Sequence, residues 1–368
     1  MSASTVPDLR YDDTEEDLRA SLRALLSTED RFTDTLARID GGEPYDAKLW
    51  RVLAGEMGLA GLLVPEALGG AGAGHRVTSL VLEELGRAVA PVPYLGSAVV
   101  ATTALLACDA SDLLRRLAGD HMIAALAVPF SRSPHESPPA TATATAGRVA
   151  GTITSVADAL PADVLLAPAA DGLWAVDAEG PGVVRTPVVS LDATRQLCDL
   201  TLDGAPGERI ADGDAGRAAV RAALTVGAAL LAAEQLGVAS WCLERTVAYV
   251  KERRQFGRPV GSFQAVKHRL ADLWVDVTQA RAVARYAAAC AAAPGAEAEI
   301  AAALAQAHCG PVAVTAAEEC VQLHGGIGFT WEYPAHLYLK RAKASAIAFG
   351  TADRHRKALG DLVDLPAV

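Results

Sequence analysis

Apolar residues recur at helical spacing in two long stretches of the chain and lose that spacing between them. From Asp13 to about Asp120 the period is helical. Leu18, Leu22, Leu25 and Leu26 mark one helix, opened by Thr14, Glu15 and Glu16, where a helix N-terminus favours negative charge. Leu49, Val52, Leu53 and Met57 mark a second that closes at Gly58. Residues 68–74 read as a loop, and Leu80, Leu82 and Leu85 mark a third helix over 77–88, ended by Pro91 and Pro93. From His121 to Pro206 the helical signal gives way to prolines, Thr, Val and short apolar runs such as Val164-Leu165-Leu166 and Val183-Val184. Turns at Asp171-Gly172 and Asp203-Gly204 separate strand-length pieces, which predicts a small antiparallel β domain. Within it, residues 131–146 (SRSPHESPPATATATA) are of low complexity and read as a mobile excursion. Long helices return over 218–254, 264–293 and 297–323, and a last one starts near Pro334 and bends around Gly350. The fold class is therefore α+β, with an N-terminal helical domain over 1–120, a β domain over 121–210 and a C-terminal helical bundle over 211–368.

Composition narrows the function. The 368 residues are 51% hydrophobic but only 5% aromatic, so small aliphatic side chains must carry close helix packing. A net charge of −11 argues against a nucleic-acid partner, which needs a basic footprint. Six scattered cysteines form no CxxC pair and no zinc-finger spacing, which points to reduced thiols and no metal site. The polar stretch from Ser2 to Asp17 carries no secretory apolar segment, and the apolar run near Leu224 is interrupted by Glu234. These features imply a cytoplasmic protein with no membrane partner.

Few segments carry chemistry. LGGAGAG at 68–74 lacks the third glycine of a dinucleotide loop, His75 standing in its place, and no βαβ unit surrounds it. There is no GxSxG, P-loop or HExxH, and isolated histidines such as His268 and His308 read as packing or surface residues. Two C-terminal segments differ. ERRQFGRPVGSFQ (252–264) ends one helix, turns at Gly257 and Pro259, and begins another with Gln264. Arg253 at this corner has a fork of donors that can clamp a phosphate, and Phe256 offers an apolar platform. QLHGGIGFTWEY (322–333) places Gly325 and Gly326 where backbone can approach a ligand. From the residues alone, an ordinary helix end with surface charges stays open beside the ligand reading.

Together and in this order, the two segments resemble the acyl-CoA dehydrogenase family. LWRVLAGEMGLAGLLVPEALGGAG (49–72) and LVLEELGRAVAPVPY (80–94) are similar to that family's N-terminal segments. The resemblance covers essentially the whole chain. It implies an N-terminal helical domain, a central antiparallel β domain and a C-terminal four-helix bundle, with FAD shared across a subunit interface. Carried residue by residue, it implies that Arg253 of R-x-x-F-G, with Phe256, meets the pyrophosphate of a neighbouring subunit's FAD and that Gln264 also lies on the cofactor. It implies that Gln322, Gly325 and Gly326 receive the adenosine end, and that Thr351 matches a further cofactor contact.

The flavin-ring half of the family pattern is missing. Where the family carries (T/S)-E-P-x-x-G-S, this chain reads Ala127-Val128-Pro129-Phe130-Ser131-Arg132, and W-I-(T/S) is replaced by Ile153-Thr154-Ser155-Val156. The family reaction needs a carboxylate to take the substrate's α-proton. The usual Y-E-G-T segment reads Ala348-Phe349-Gly350-Thr351, and the alternative base position, 26 residues before Arg253, is Gly227. Small residues at Gly227, Ala228, Ala229 and Ala232 fit an enlarged acyl pocket as well as close helix packing. The resemblance is strongest to the non-catalytic subunit of actinobacterial heteromeric (α2β2) acyl-CoA dehydrogenases of steroid side-chain breakdown. It implies a paralogous partner carrying the catalytic Glu, an acyl-CoA substrate with a steroid side chain, and electron-transfer flavoprotein as acceptor. Two alternatives remain open: a self-sufficient homomer using Glu234 or Glu332 as base, and a flavin-free scaffold.

Overall fold

The computed structural model describes residues 7–27, 31–43 and 45–366, so the polar stretch from Ser2 is described only from Pro7 onward. The N-terminal layer contains α1 (Asp13–Leu26), α2 (Arg31–Gly41), α3 (Ala47–Arg51), α4 (Gly74–Arg87), α5 (Thr102–Ala107) and α6 (Ser111–Gly119). Helix α1 opens on a capping box: the Glu15 N–H donates to Asp12 at 2.8 Å and the Asp12 N–H to Glu15 at 2.9 Å. A π-turn, Val52–Glu56, extends α3, and another, Tyr94–Ala101, leads into α5.

Seven strands follow: β1 (Ala124–Leu126), β2 (Thr143–Thr145), β3 (Arg148–Ala157), β4 (Val164–Ala169), β5 (Gly172–Asp177), β6 (Val183–Val188) and β7 (Leu197–Asp212). The sheet order is β1-β4-β5-β7-β3-β2, with β6 also on β7. The long β7 joins the halves by pairing with β3, β5 and β6. Every named pair is antiparallel except β1 with β4, so the sheet is mixed at that edge. Residues 131–146 are held down against this sheet instead of swinging free. Ser133 is buried, Thr141 Oγ1 donates to the Ala127 carbonyl at 2.9 Å, and β2 closes the segment. Its prolines have no N–H to satisfy, so few bonds suffice to dock it.

The C-terminal layer is α7 (Gly213–Glu252), the hairpin β8 (Arg254–Gln255) and β9 (Arg258–Pro259), α8 (Gln264–Cys290), α9 (Ala296–His324), α10 (Ala335–Ser345) and α11 (Ala352–Leu362). The single bent helix expected after Pro334 is two helices, parted by a turn in which Phe349 and Gly350 take φ of 54° and 107°. Helices α7 and α9 are long and apolar enough to cross a membrane, but 94% of the apolar window of α7 is buried inside the protein. Helix α7 is the axis of the molecule, packed by α4 and α5 on one side and by α8 and α9 on the other.

Small residues allow that packing. A Cβ on Gly237 would stand 2.0 Å from the Glu83 carbonyl oxygen, and one on Gly86 would stand 2.2 Å from that of Glu234, so α4 and α7 cross backbone to backbone. Gly237→Ala should therefore destabilise the chain by about 3 kcal/mol, the upper part of the overpacking range. Gly360→Ala, on α11 with open space around it, should be neutral or slightly stabilising. Urea unfolding midpoints of the two variants check this.

Candidate functional site

Residues 253, 256, 264, 322, 325 and 326 gather at one end of the bundle. The Arg253 N–H caps α7 by donating to the Tyr249 carbonyl at 2.8 Å. Tyr249 in turn stacks on His324 at 4.3 Å and donates its hydroxyl to the His324 carbonyl at 3.2 Å, tying the ends of α7 and α9 together. Gly325, at φ 62°, follows directly. Arg253, Gln264 and Gln322 are exposed, and a Cβ on Gly326 would meet nothing within 4 Å, so the backbone there is open to a ligand. Phe256 is 90% exposed, and Phe329 and Trp331, in the turn after α9, are exposed as well. This end of the molecule exposes a guanidinium, two amides and aromatic rings, Phe256 meeting Phe263 edge-on at 6.3 Å and Trp331 meeting His336 at 4.5 Å.

Phe349 and Gly227 meet far from that end. The 26 residues of α7 between Gly227 and Arg253 span about 39 Å at 1.5 Å per residue. A Cβ on Gly227 would stand 2.9 Å from Phe349 Cζ and 2.9 Å from Val100 Cγ2, so the aromatic ring occupies the space over the glycine. Phe349 is locked: its N–H donates to the Phe130 carbonyl at 2.9 Å and its ring meets that of Phe130 edge-on at 5.4 Å. Behind it the buried His355 places Nε2 3.0 Å from the Phe349 carbonyl, and burial pushes this imidazole down to about 4. Ser133 of the 131–146 segment lies against Gly350, so that segment covers the same turn. Leu95, Val100, Leu126, Val128, Phe130 and Phe349 line a small pocket of about 30 Å³. Gly227, Ala228, Ala229 and Ala232 are buried and Phe349 covers Gly227, so these small residues serve close packing. Thr351 is exposed two residues beyond Phe349 and does not join the Arg253 set.

Glu234 and Glu332, the two carboxylates weighed as a base, sit in opposite surroundings. Glu234 is fully enclosed, pairing with Arg195 and, at 3.2 Å, with Arg341. Arg341 also binds Asp192 at 2.5 Å and the Thr194 hydroxyl at 2.7 Å. Burial alone would raise the Glu234 carboxyl, but the Arg195 and Arg341 guanidiniums outweigh it and hold it below its ordinary value of 4.5. A carboxylate so held is a poor proton acceptor. Asp158, which accepts the Gly96 N–H at 3.0 Å, is pushed up by burial against the pull of Arg195. Glu332 is exposed in the turn after α9, at the Arg253 end. Among the described residues no cluster of three metal-ligating side chains occurs.

Comparison with known proteins decides the family. The acyl-CoA dehydrogenase N-terminal domain matches residues 12–112 and the acyl-CoA dehydrogenase C-terminal domain matches residues 214–363. The chain belongs to the acyl-CoA dehydrogenase family. These are flavoprotein oxidoreductases acting on CH–CH bonds. The acyl-CoA dehydrogenase IpdE2 of Mycolicibacterium smegmatis is 36% identical over 333 residues, covering 90% of this chain and 93% of that protein. Among solved structures, a variant of the Tcur3481–Tcur3483 steroid acyl-CoA dehydrogenase is 34% identical, with a TM-score of 0.80 over 95% of this chain and 98% of that one. The ChsE4–ChsE5 complex of Mycobacterium tuberculosis is 30% identical, with a TM-score of 0.86 over 98% of this chain and 100% of that one.

Sequence reasoning missed the buried charge cluster of this acyl-CoA dehydrogenase. No motif singles out Asp192, Arg195 or Arg341; only Glu234, a charge inside an apolar run, points to a buried partner. Replacing Glu234 with Ala leaves two guanidiniums buried with one fewer counter-charge and should cost about 3–5 kcal/mol. Because the folded-state carboxyl is held below its unfolded value, its contribution is present above the ordinary glutamate range and is lost as pH falls through the folded value. Denaturant titrations at pH 7 and pH 3 check both points: the gap between wild type and variant should be large at pH 7 and smaller at pH 3.

Proposed function

We propose that this acyl-CoA dehydrogenase chain is the non-catalytic subunit of a heteromeric enzyme. It supplies the adenosine-side contacts to FAD through Arg253, Phe256, Gln264, Gln322, Gly325 and Gly326, while a paralogous partner supplies the catalytic Glu and the flavin-ring pocket. The observation that carries this reading is the contact of Phe349 with Gly227: both positions where the family places its base hold no carboxylate, and they fill one another's space. The Phe349 ring over Gly227 supports a chain whose own half carries no base, with the flavin ring and acyl chain held by the partner. At the other end the residues present do fit the cofactor, with an exposed guanidinium, two exposed amides and an open glycine backbone.

FAD, when bound, supplies the acceptor for the substrate's β-hydride. The residues of this chain bind and orient it. Arg253 neutralises the pyrophosphate through charge-assisted hydrogen bonds. The glycine pair lets backbone N–H groups approach the adenosine, and Phe256 covers an apolar face. The likeness to the Tcur3481–Tcur3483 and ChsE4–ChsE5 structures supports a two-chain enzyme. The steroid enzyme among them supports a steroid side-chain CoA thioester as substrate. Electron-transfer flavoprotein is the acceptor this reading requires.

Arg253→Ala tests the assignment in the intact heteromer. Loss of one charge-assisted contact, about 1.5–3 kcal/mol, should let FAD dissociate on gel filtration while the subunits stay together. Unchanged flavin retention would remove Arg253 from the cofactor.

A further inference from the structure

A cleft of about 490 Å³ opens between the C-terminal ends of α1 and α4, the first turns of α2, the last third of α7 and the start of α10, and none of the residues treated above as cofactor contacts or base positions lines it. One wall is aromatic. Trp241 stacks on Tyr338 with ring centroids 3.6 Å apart and planes 6° apart, and Phe32 and Leu337 border the pair. Four arginines line the remainder. Two are neutralised: Arg23 grips Glu84 at 2.6 and 3.1 Å, and Arg87 grips Glu244 at 2.6 and 2.9 Å.

Arg31 and Arg245 are different: among the described residues neither has a carboxylate within ion-pair distance, the nearest influence on Arg31 being the more distant Asp46 and Asp34. Arg31 gives its donors to the Leu26 and Leu25 carbonyls at the end of α1, at 2.8 and 3.1 Å, and burial pushes its guanidinium below the ordinary value. Arg245 is exposed, with its guanidinium 5.9 Å from the Trp241 ring. Two guanidiniums of this cleft are therefore bonded to no carboxylate among the described residues, in a chain of net charge −11. A partly desolvated cation favours an anion beside it. The aromatic wall favours an anion with a flat body, and the volume lies within the roughly 300–1,000 Å³ of small-molecule sites.

We propose that this cleft binds a nucleoside diphosphate, its phosphates at Arg31 and Arg245 and its base against the Trp241–Tyr338 wall. The site is separate from the adenosine-side contacts around Arg253 and does not depend on the heteromer reading. Calorimetric titration of the full-length chain with ADP, adenosine and pyrophosphate tests it. ADP should bind saturably at one site, with adenosine and pyrophosphate each at least about tenfold weaker, because each offers only half of the chemistry. Arg245→Gln, a surface change that should leave the melting temperature of the free chain unaltered, should weaken ADP about tenfold, and Arg31→Gln should do the same. Arg253→Ala should leave ADP binding intact. No saturable ADP binding, pyrophosphate binding as tightly as ADP, or a loss confined to Arg253→Ala would each overturn the proposal.

Discussion

The ring of Phe349 rests on Gly227, and the functional character of the chain follows from that contact. It joins the turn between α10 and α11 to the middle of α7, the two places where the proposed reading looks for a base. Here the ring and Val100 fill the space over Gly227, and a side chain at position 227 has nowhere to go. The surroundings reinforce the closure. The Phe130 carbonyl accepts the Phe349 N–H, His355 backs the turn, and the proline-rich segment with Ser133 lies over it. Reopening such a pocket would require several coordinated changes, so the closed form is a built state of the fold.

Helix α7 sets the geometry of the rest. Gly227 and Arg253, about 39 Å apart along it, mark regions of opposite character. One is apolar and sealed, whereas the other is exposed, cationic and aromatic. Between them Glu234 binds Arg195 and Arg341, so the β layer and α10 are clamped to the same helix by buried charge. That cluster explains why Glu234 persists in an apolar helix without serving as a base. On the proposed reading, a chain whose exposed Arg253 end lies so far from the Phe349–Gly227 contact is suited to completing a site on another chain.

Much of this was legible in the sequence. The helical period located α1, α4, α7, α8 and α9 to within a few residues, and Gly257, Pro259, Gly325 and Gly326 marked the corners at the exposed end of the bundle. Phe349 and Gly227 could be singled out because each sits at a fixed offset from a motif, Phe349 before Gly350-Thr351 and Gly227 before Arg253. What could not be read was that these two positions touch, since they are far apart along the chain and nothing local couples them. The docking of residues 131–146 was hidden for a related reason: low complexity signals weak local preference, while Ser133 and Thr141 are fixed by distant partners. Nothing local marks Arg195, Asp192 and Arg341 as buried, because their burial arises only when the β6–β7 connection folds onto α7.

Flavin stoichiometry is the most direct test of the central claim, measured by absorbance on the chain purified alone and again after co-expression with a paralogous acyl-CoA dehydrogenase subunit that retains the catalytic Glu. The account predicts a colourless chain on its own and one FAD per heterodimer in the complex. A full complement of FAD in the isolated chain, together with dehydrogenase activity, would contradict it, because the closed Phe349–Gly227 site could not then be what this structure makes it.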